Sequence, residues 1–171
     1  MKIGVISDTH GKLHPGVLEV IGQCDAVCHA GDVADERTLD TLWMHLRPGA
    51  PFYLVRGNND KGWAERIAKV QKFSLGDVRI CMVHDKKDMP WNQEEAEVLI
   101  YGHSHRFSVE EKDGKLWLNP GSCGRARFGM PLTMAVLTVE NETWTVEKIT
   151  FLDGKVDNRS VEWKKVEAQQ K

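Results

Sequence analysis

Imidazole, carboxylate and amide side chains with metal-binding capacity recur at the ends of short apolar runs in this chain. The run at 3–6 leads into Asp8 and His10, and the run at 26–29 into Gly31-Asp32. The run at 52–55 leads into Gly57-Asn58, the run at 80–83 into His84, and the run at 98–101 into Gly102-His103, with His105 two residues on. Such a donor set suits Mn²⁺, Fe, Co²⁺, Ni²⁺ or Zn²⁺. It contains no thiolate, which argues against a cysteine-rich structural zinc site. Gly31, Gly57 and Gly102 each stand directly before a candidate ligand. Without a side chain, the backbone there can turn tightly and approach a crowded centre.

The elements that would position these groups follow from periodicity. The runs at 2–6, 26–29 and 52–55 read as strands, with helices between them. The segment 14–23 has Pro15 near its start and Val17, Leu18 and Ile21 at helical spacing. Asp35 can cap a second helix, in which Leu39, Leu42, Trp43 and Leu46 repeat at i, i+3, i+4 and i+7 before Pro48-Gly49 ends it. Residues 63–70 read as a further short helix. Asn92 and Glu95 resemble a capping box for another. The second half is richer in strands, at 78–83, 98–101, 107–111, 115–118, 133–139 and 143–149. Asp113-Gly114 is a hairpin signal, and Asn141-Glu142 a weaker one. The charged tail, 156–171, suggests a frayed helix. Alternating βα units followed by hairpins predict an α/β sandwich with mixed sheets. In such folds the carboxyl ends of strands line the binding crevice, so the candidate ligands converge there.

Composition narrows the function classes. The chain has 171 residues, which suits a single domain, 1–171. A formal net charge of −2 gives no basic field for long nucleic acid. The tryptophans at 63, 91, 117, 144 and 163 share no face of one element, as base stacking would require. No run is apolar enough to span a membrane, and the start reads as a strand rather than a secretion signal. Cys24, Cys28, Cys81 and Cys123 form no Cys-x-x-Cys pair. Reduced, buried thiols in a cytoplasmic protein are the plain expectation.

The ordered set Asp8-x-His10, Gly31-Asp32, Gly57-Asn58-Asn59-Asp60, His84 and Gly102-His103-x-His105 resembles the calcineurin-like metallophosphoesterase superfamily. The small size and Asn119-Pro120-Gly121-Ser122 are similar to its compact YfcE-type phosphodiesterase branch. The resemblance implies a four-layer α/β/β/α sandwich with two mixed sheets. It implies two divalent metal ions, Mn²⁺ favoured, one held by Asp8, His10, Asp32 and His105. The other would be held by Asp32, Asn58, His84 and His103, with Asp32 bridging. Asn58, Asn59 and Asp60 then fall at the catalytic centre, with Asn59 and Arg125 as candidate substrate contacts; Arg56 and Arg127 are further candidates.

The implied reaction is attack of a metal-held hydroxide on a small phosphodiester. Two dications less Asp8, Asp32 and a hydroxide leave a positive site in a slightly acidic chain. Many superfamily members carry His where this chain has Asn59, and an amide cannot donate a proton as an acid. Esters with good leaving groups are therefore expected to be the better substrates. Asp60 is a candidate to orient a histidine ligand, or a turn residue. His14 reads as a helix start, His29 as a buried, hydrogen-bonded neighbour at a strand end, and His45 as a solvent-facing helix residue. A homodimer is compatible with the family. Other readings of the same fold are a non-catalytic interaction scaffold, a phosphomonoesterase or a nuclease.

Overall fold

Buried apolar side chains alternate across the first strands, and this alternation builds two cores from one sheet. In β1 (Lys2–Ile6), Ile3 and Val5 face one core while Ile6 faces another. In β2 (Ala26–His29), Ala26 and Cys28 face the first core and Val27 the second. A strand covered on both faces reads as a continuous apolar run. The computed structural model describes residues 1–164 except 94, 128, 142, 153 and 154; in the last strand it gives the side-chain environment of Asp157 alone.

β1, β2 and β3 (Phe52–Leu54) lie side by side and parallel. They are joined by α1 (Pro15–Ile21) and α2 (Glu36–His45). The His14 Nδ1 accepts from Gly16 N at the start of α1, and Asp35 accepts from Thr38 N at the start of α2. The second sheet comprises β4 (Val70–Leu75), β5 (Val78–Val83), β6 (Val98–Ile100), β7 (Phe107–Lys112) and β8 (Lys115–Pro120). Its order is β4-β5-β6-β8-β7, with β5, β6 and β8 parallel and the outer pairs antiparallel. The chain then returns to the first sheet as β9 (Leu132–Glu140), β10 (Thr143–Leu152) and β11 (Lys155–Lys164), giving the order β11-β10-β9-β1-β2-β3.

The expected α/β sandwich of two mixed sheets is therefore present. Ile80, Met82, Val98, Ile100, Leu116 and Leu118 pack across to Ile3, Val5, Ala135 and Leu137 between the sheets. Each of these Ile, Leu, Val and Met side chains, fully buried, contributes about 1.5–3 kcal/mol. α1 and α2 supply Val17, Ile21 and Leu42 to the outer face of the first sheet. The outer layer on the second sheet is thin. There Cys81, Ala96 and Leu99 are covered by Met89, Trp117 and Val70, and among the described residues of the connecting chain the one helical element is a 3-10 turn, Lys86–Asp88.

Three local expectations are corrected. Residues 63–66 form a turn, 67–69 continue it as bent, irregular chain, and Val70 opens β4. Tertiary bonds override helix periodicity there: the Trp63 indole donates to Ala34 O, and Arg56 N donates to Ala68 O. No α-helix starts at Asn92 among the described residues. The Asn92 Oδ1 is engaged by Lys72 Nζ instead of capping. The tail expected as a helix pairs with β10 as β11 through Lys164, and 165–171 lie outside the described residues. No helix among the described residues is long and apolar enough to cross a membrane.

Candidate metal centre

The candidate ligands meet where β1, β2, β3, β5 and β6 end. The loops are tied to one another before any side chain is considered: Asp8 N donates to Gly31 O, His10 N to Asp32 O, and Gly102 N to His84 O. The His105 Nε2 lies 3.1 Å from Asp8 Oδ1, and His10 Nε2 lies 3.2 Å from His105 Nε2. The His10 Nε2 is also 3.7 Å from Asp8 Oδ1 and 3.8 Å from Asp32 Oδ2. On the other side, His84 Nε2 lies 3.4 Å from Asp32 Oδ2 and 3.1 Å from Asn58 Oδ1. The His103 Nδ1 is 3.0 Å from Asn58 Oδ1 and 3.3 Å from His84 Nε2. Donors bound at about 2.1 Å to one cation stand about 3.0 Å apart in an octahedron and about 3.4 Å in a tetrahedron. The observed spacings fall around these values: Asp8, His10 and His105 make one group able to hold a cation and Asp8, Asp32 and His84 another.

The donor atoms are also prepared electronically. The Asp8 Oδ2 accepts from Ser7 Oγ and His103 N, while its buried Oδ1 has no hydrogen-bond partner. An orphaned, buried carboxylate oxygen among imidazole nitrogens fits a cation. His84 Nδ1 lies 2.7 Å from Ala30 O, so Nδ1 carries a proton and Nε2 offers its lone pair to the site. Burial pushes the His10 pKa down, against the pull of Asp32 and Asp8, and keeps its ring neutral. Burial would raise the Asp32 pKa, but the His84 hydrogen bond and charge and the Asn59 bonds outweigh it and hold the carboxyl well below its ordinary range. Asp8, His10, Asp32, His103 and His105 all adopt positive φ, between 47 and 65°. Left-handed backbone at non-glycine residues costs about 1–3 kcal/mol each and persists where surroundings over-determine it.

His84 gives a pH dependence. Burial lowers its pKa, but the hydrogen bond and charge of Asp32, with Asp8 and the Ala30 carbonyl, raise it to about 8 in the metal-free protein. Below that pH a cation must displace the Nε2 proton; above it the lone pair is free. Apparent Mn²⁺ affinity should therefore rise about tenfold per pH unit between roughly 6 and 8 and then level. Calorimetric titrations across that range should show it with one proton released, and a flat profile would count against this assignment.

The other residues expected at the site are placed as follows. Asn59 donates from N to Asp32 Oδ1 and from Nδ2 to Asp32 Oδ2, at 2.8 and 2.6 Å. Asp60 does not orient a histidine. Its buried carboxylate accepts from three backbone groups, Asp32 N, Gly57 N and Ala34 N, and so clamps two ligand loops together. Arg125 is exposed and its backbone, not its guanidinium, bonds Ser122 Oγ. The Arg127 charge reaches His10, whereas the Arg56 guanidinium lies near Glu65 O. The Asn119–Ser122 turn supports two ligand loops: Ser122 Oγ donates to Asp8 O, and Asn119 Nδ2 donates to Gly102 O. His29 is buried and held by Thr9 Oγ1 and Gly31 N; burial drops its pKa to about 4, leaving it neutral. Ser7, missed in the sequence reading, orients Asp8; its place directly before a ligand was the available signal.

Two mixed sheets bring imidazole and carboxylate groups together at the carboxyl ends of their strands, a donor set able to hold divalent cations. The model of the calcineurin-like phosphoesterase superfamily domain matches residues 1–142, so the chain belongs to that superfamily. A probable metallophosphoesterase of Methanothermobacter thermautotrophicus is 29% identical over 163 residues, covering 87% of this chain and 92% of that protein. YfcE, a phosphoesterase from E. coli, superposes with a TM-score of 0.69 at 25% identity, covering 94% of this chain and 98% of that one. The fold is also that of Vps29 from Entamoeba histolytica complexed with Zn²⁺, at a TM-score of 0.78 and 23% identity, covering 95% and 99% of the two chains.

Proposed function

We propose that this chain is a phosphodiesterase dependent on two divalent cations, Mn²⁺ favoured, acting in the cytoplasm on small phosphodiesters. Asp8, His10, Asp32 and His105 would hold one cation, and Asp32, Asn58, His84 and His103 the other. The observation that carries this reading is the position of Asp32 Oδ2, which faces His10 Nε2 and His84 Nε2 at once. Bound there, the cations would supply Lewis-acid chemistry, polarising water and offsetting phosphoryl charge.

The chain's own groups prepare that chemistry. Asn59 fixes both oxygens of the Asp32 carboxylate, and Asp60 fixes the backbone beneath it. The Ser7 hydroxyl holds one Asp8 oxygen, leaving the other for coordination. Asn59 stands where a proton donor to the leaving group would be expected, and its amide supplies none. Loss of general-acid assistance costs about 10²–10⁴-fold, and most for poor leaving groups. A bis-aryl phosphate should therefore be cleaved about 100-fold or more faster than an alkyl phosphomonoester in the presence of Mn²⁺. Comparing the two substrates with and without Mn²⁺ tests both levels of the reading. Inertness toward both with Mn²⁺ bound would overturn the hydrolase reading, and faster monoester cleavage would overturn only the diester preference.

A further inference from the structure

His103 differs from the other candidate histidine ligands in how little holds it. Its side chain is 46% exposed, against 9% for His10, 4% for His84 and 5% for His105. Packing therefore fixes the other three rings and leaves this one free on one side. The ring also presents a different nitrogen. Nδ1 faces Asn58 Oδ1 and His84 Nε2, so Nε2 points away from the cluster. For Nδ1 to offer a lone pair to a cation, the proton must reside on Nε2.

The carboxylate on that side is Asp85, whose Oδ2 stands 3.7 Å from His103 Nε2, within ion-pair range but longer than a hydrogen bond. Asp85 is itself anchored. It directly follows His84 in the chain, and its Oδ1 accepts from Lys87 N at the start of the 3-10 turn, at 3.1 Å. One carboxylate thus spans from the chain beside one ligand to the outer nitrogen of another. A carboxylate that takes the outer N–H of a ligating imidazole fixes its tautomer and ring orientation.

We infer that Asp85 is the positioning residue for His103, holding the exposed imidazole with Nδ1 toward the cation shared with His84 and Asn58. The inference rests on the dinuclear reading given above. It assigns Asp85 no contact with substrate and no proton transfer.

Mn²⁺ titration of the whole chain by calorimetry tests this without reference to turnover. Asp85→Asn keeps a side-chain oxygen for the Lys87 N–H, and Asn caps as well as Asp, so the turn is preserved. It removes the carboxylate facing His103. One of the two Mn²⁺ equivalents should weaken by about tenfold to a hundredfold, and the other should stay unchanged. In a His103→Ala background, Asp85→Asn should have no further effect on affinity, because its action passes through that ring. Wild-type affinity for both equivalents in Asp85→Asn would overturn the assignment, as would an undiminished effect of Asp85→Asn in the His103→Ala background. A wild-type chain that takes up no Mn²⁺ would overturn the dinuclear reading itself, and this role with it.

Discussion

Asp32→Ala should abolish uptake of both cations and lower Mn²⁺-dependent turnover by roughly 10³-fold or more. The reason is topological. In the proposed two-cation site Asp32 Oδ2 is the atom both halves would share, 3.8 Å from His10 Nε2 and 3.4 Å from His84 Nε2. Its removal takes one charge from each half at once. His84→Ala should behave differently. It strips a nitrogen from one half only, so one Mn²⁺ equivalent should persist while most turnover is lost. Neither change touches the packing between the sheets, and the far-UV spectrum should match the wild type. In the metal-free protein, the Asp32 carboxylate is held ionised by His84 and Asn59, so its contribution to stability is present above the ordinary carboxylate pKa and lost as pH falls through its lowered value. The alanine variant should therefore melt slightly lower at neutral pH and show no rise on adding Mn²⁺. Retention of turnover within about tenfold would remove Asp32 from the shared position.

Gly57→Ala should damage stability and metal uptake together. A Cβ at Gly57 would run into the Asp32 carboxylate and the Asp32 backbone nitrogen. Neither can give way easily. Asp60 Oδ2 accepts from Asp32 N at 2.8 Å and from Gly57 N at 2.9 Å, pinning both sides of the contact. The strain should cost about 3 kcal/mol, at the upper end for overpacking. In a chain of this length that is a fall in melting temperature of about 6–12 °C. Because the methyl displaces Asp32, Mn²⁺ uptake should fail together with stability. A melting temperature within about 2 °C of wild type would show that the loops yield, and that the close approach is not required.

The site was legible because each ligand sits just past a run whose burial is readable. Asp8, Asp32, His84 and His103 follow strands covered on both faces, and such runs stand out as unbroken apolar stretches. Their convergence follows from parallel strands ending on one side. The support beneath the ligands was less legible. Asp60 serves backbone groups 26 to 28 residues away, and no local pattern announces that. Asn119 likewise acts on Gly102, 17 residues away, through a contact that only the folded chain creates, whereas Ser7 bonds its own neighbour Asp8. Among the elements, the hairpin of β4 and β5 was half seen. Val78–Val83 is apolar, but Val-Gln-Lys-Phe-Ser-Leu before it alternates weakly, and its edge position leaves it partly exposed. The tail failed for a related reason: charge suggested a solvated helix, yet an outermost strand needs only one neighbour to complete its ladder, and β10 provides it. Asp113-Gly114 succeeded because both residues take positive φ, as that turn demands.

The ligands are divided between the sheets. Asp8, His10, Asp32 and Asn58 hang from β1, β2 and β3, whereas His84, His103 and His105 hang from β5 and β6. Bound ions would thus rivet two halves of the molecule, adding to the hydrogen bonds that already cross at this end, His103 N to Asp8 Oδ2 and His84 Nδ1 to Ala30 O. Each ion at a hundredfold excess over its dissociation constant adds about 2.7 kcal/mol to the intact state. Chelation should then do more than silence the enzyme: it should unfasten the seam, so that amide exchange quickens first along the rim where the two layers meet.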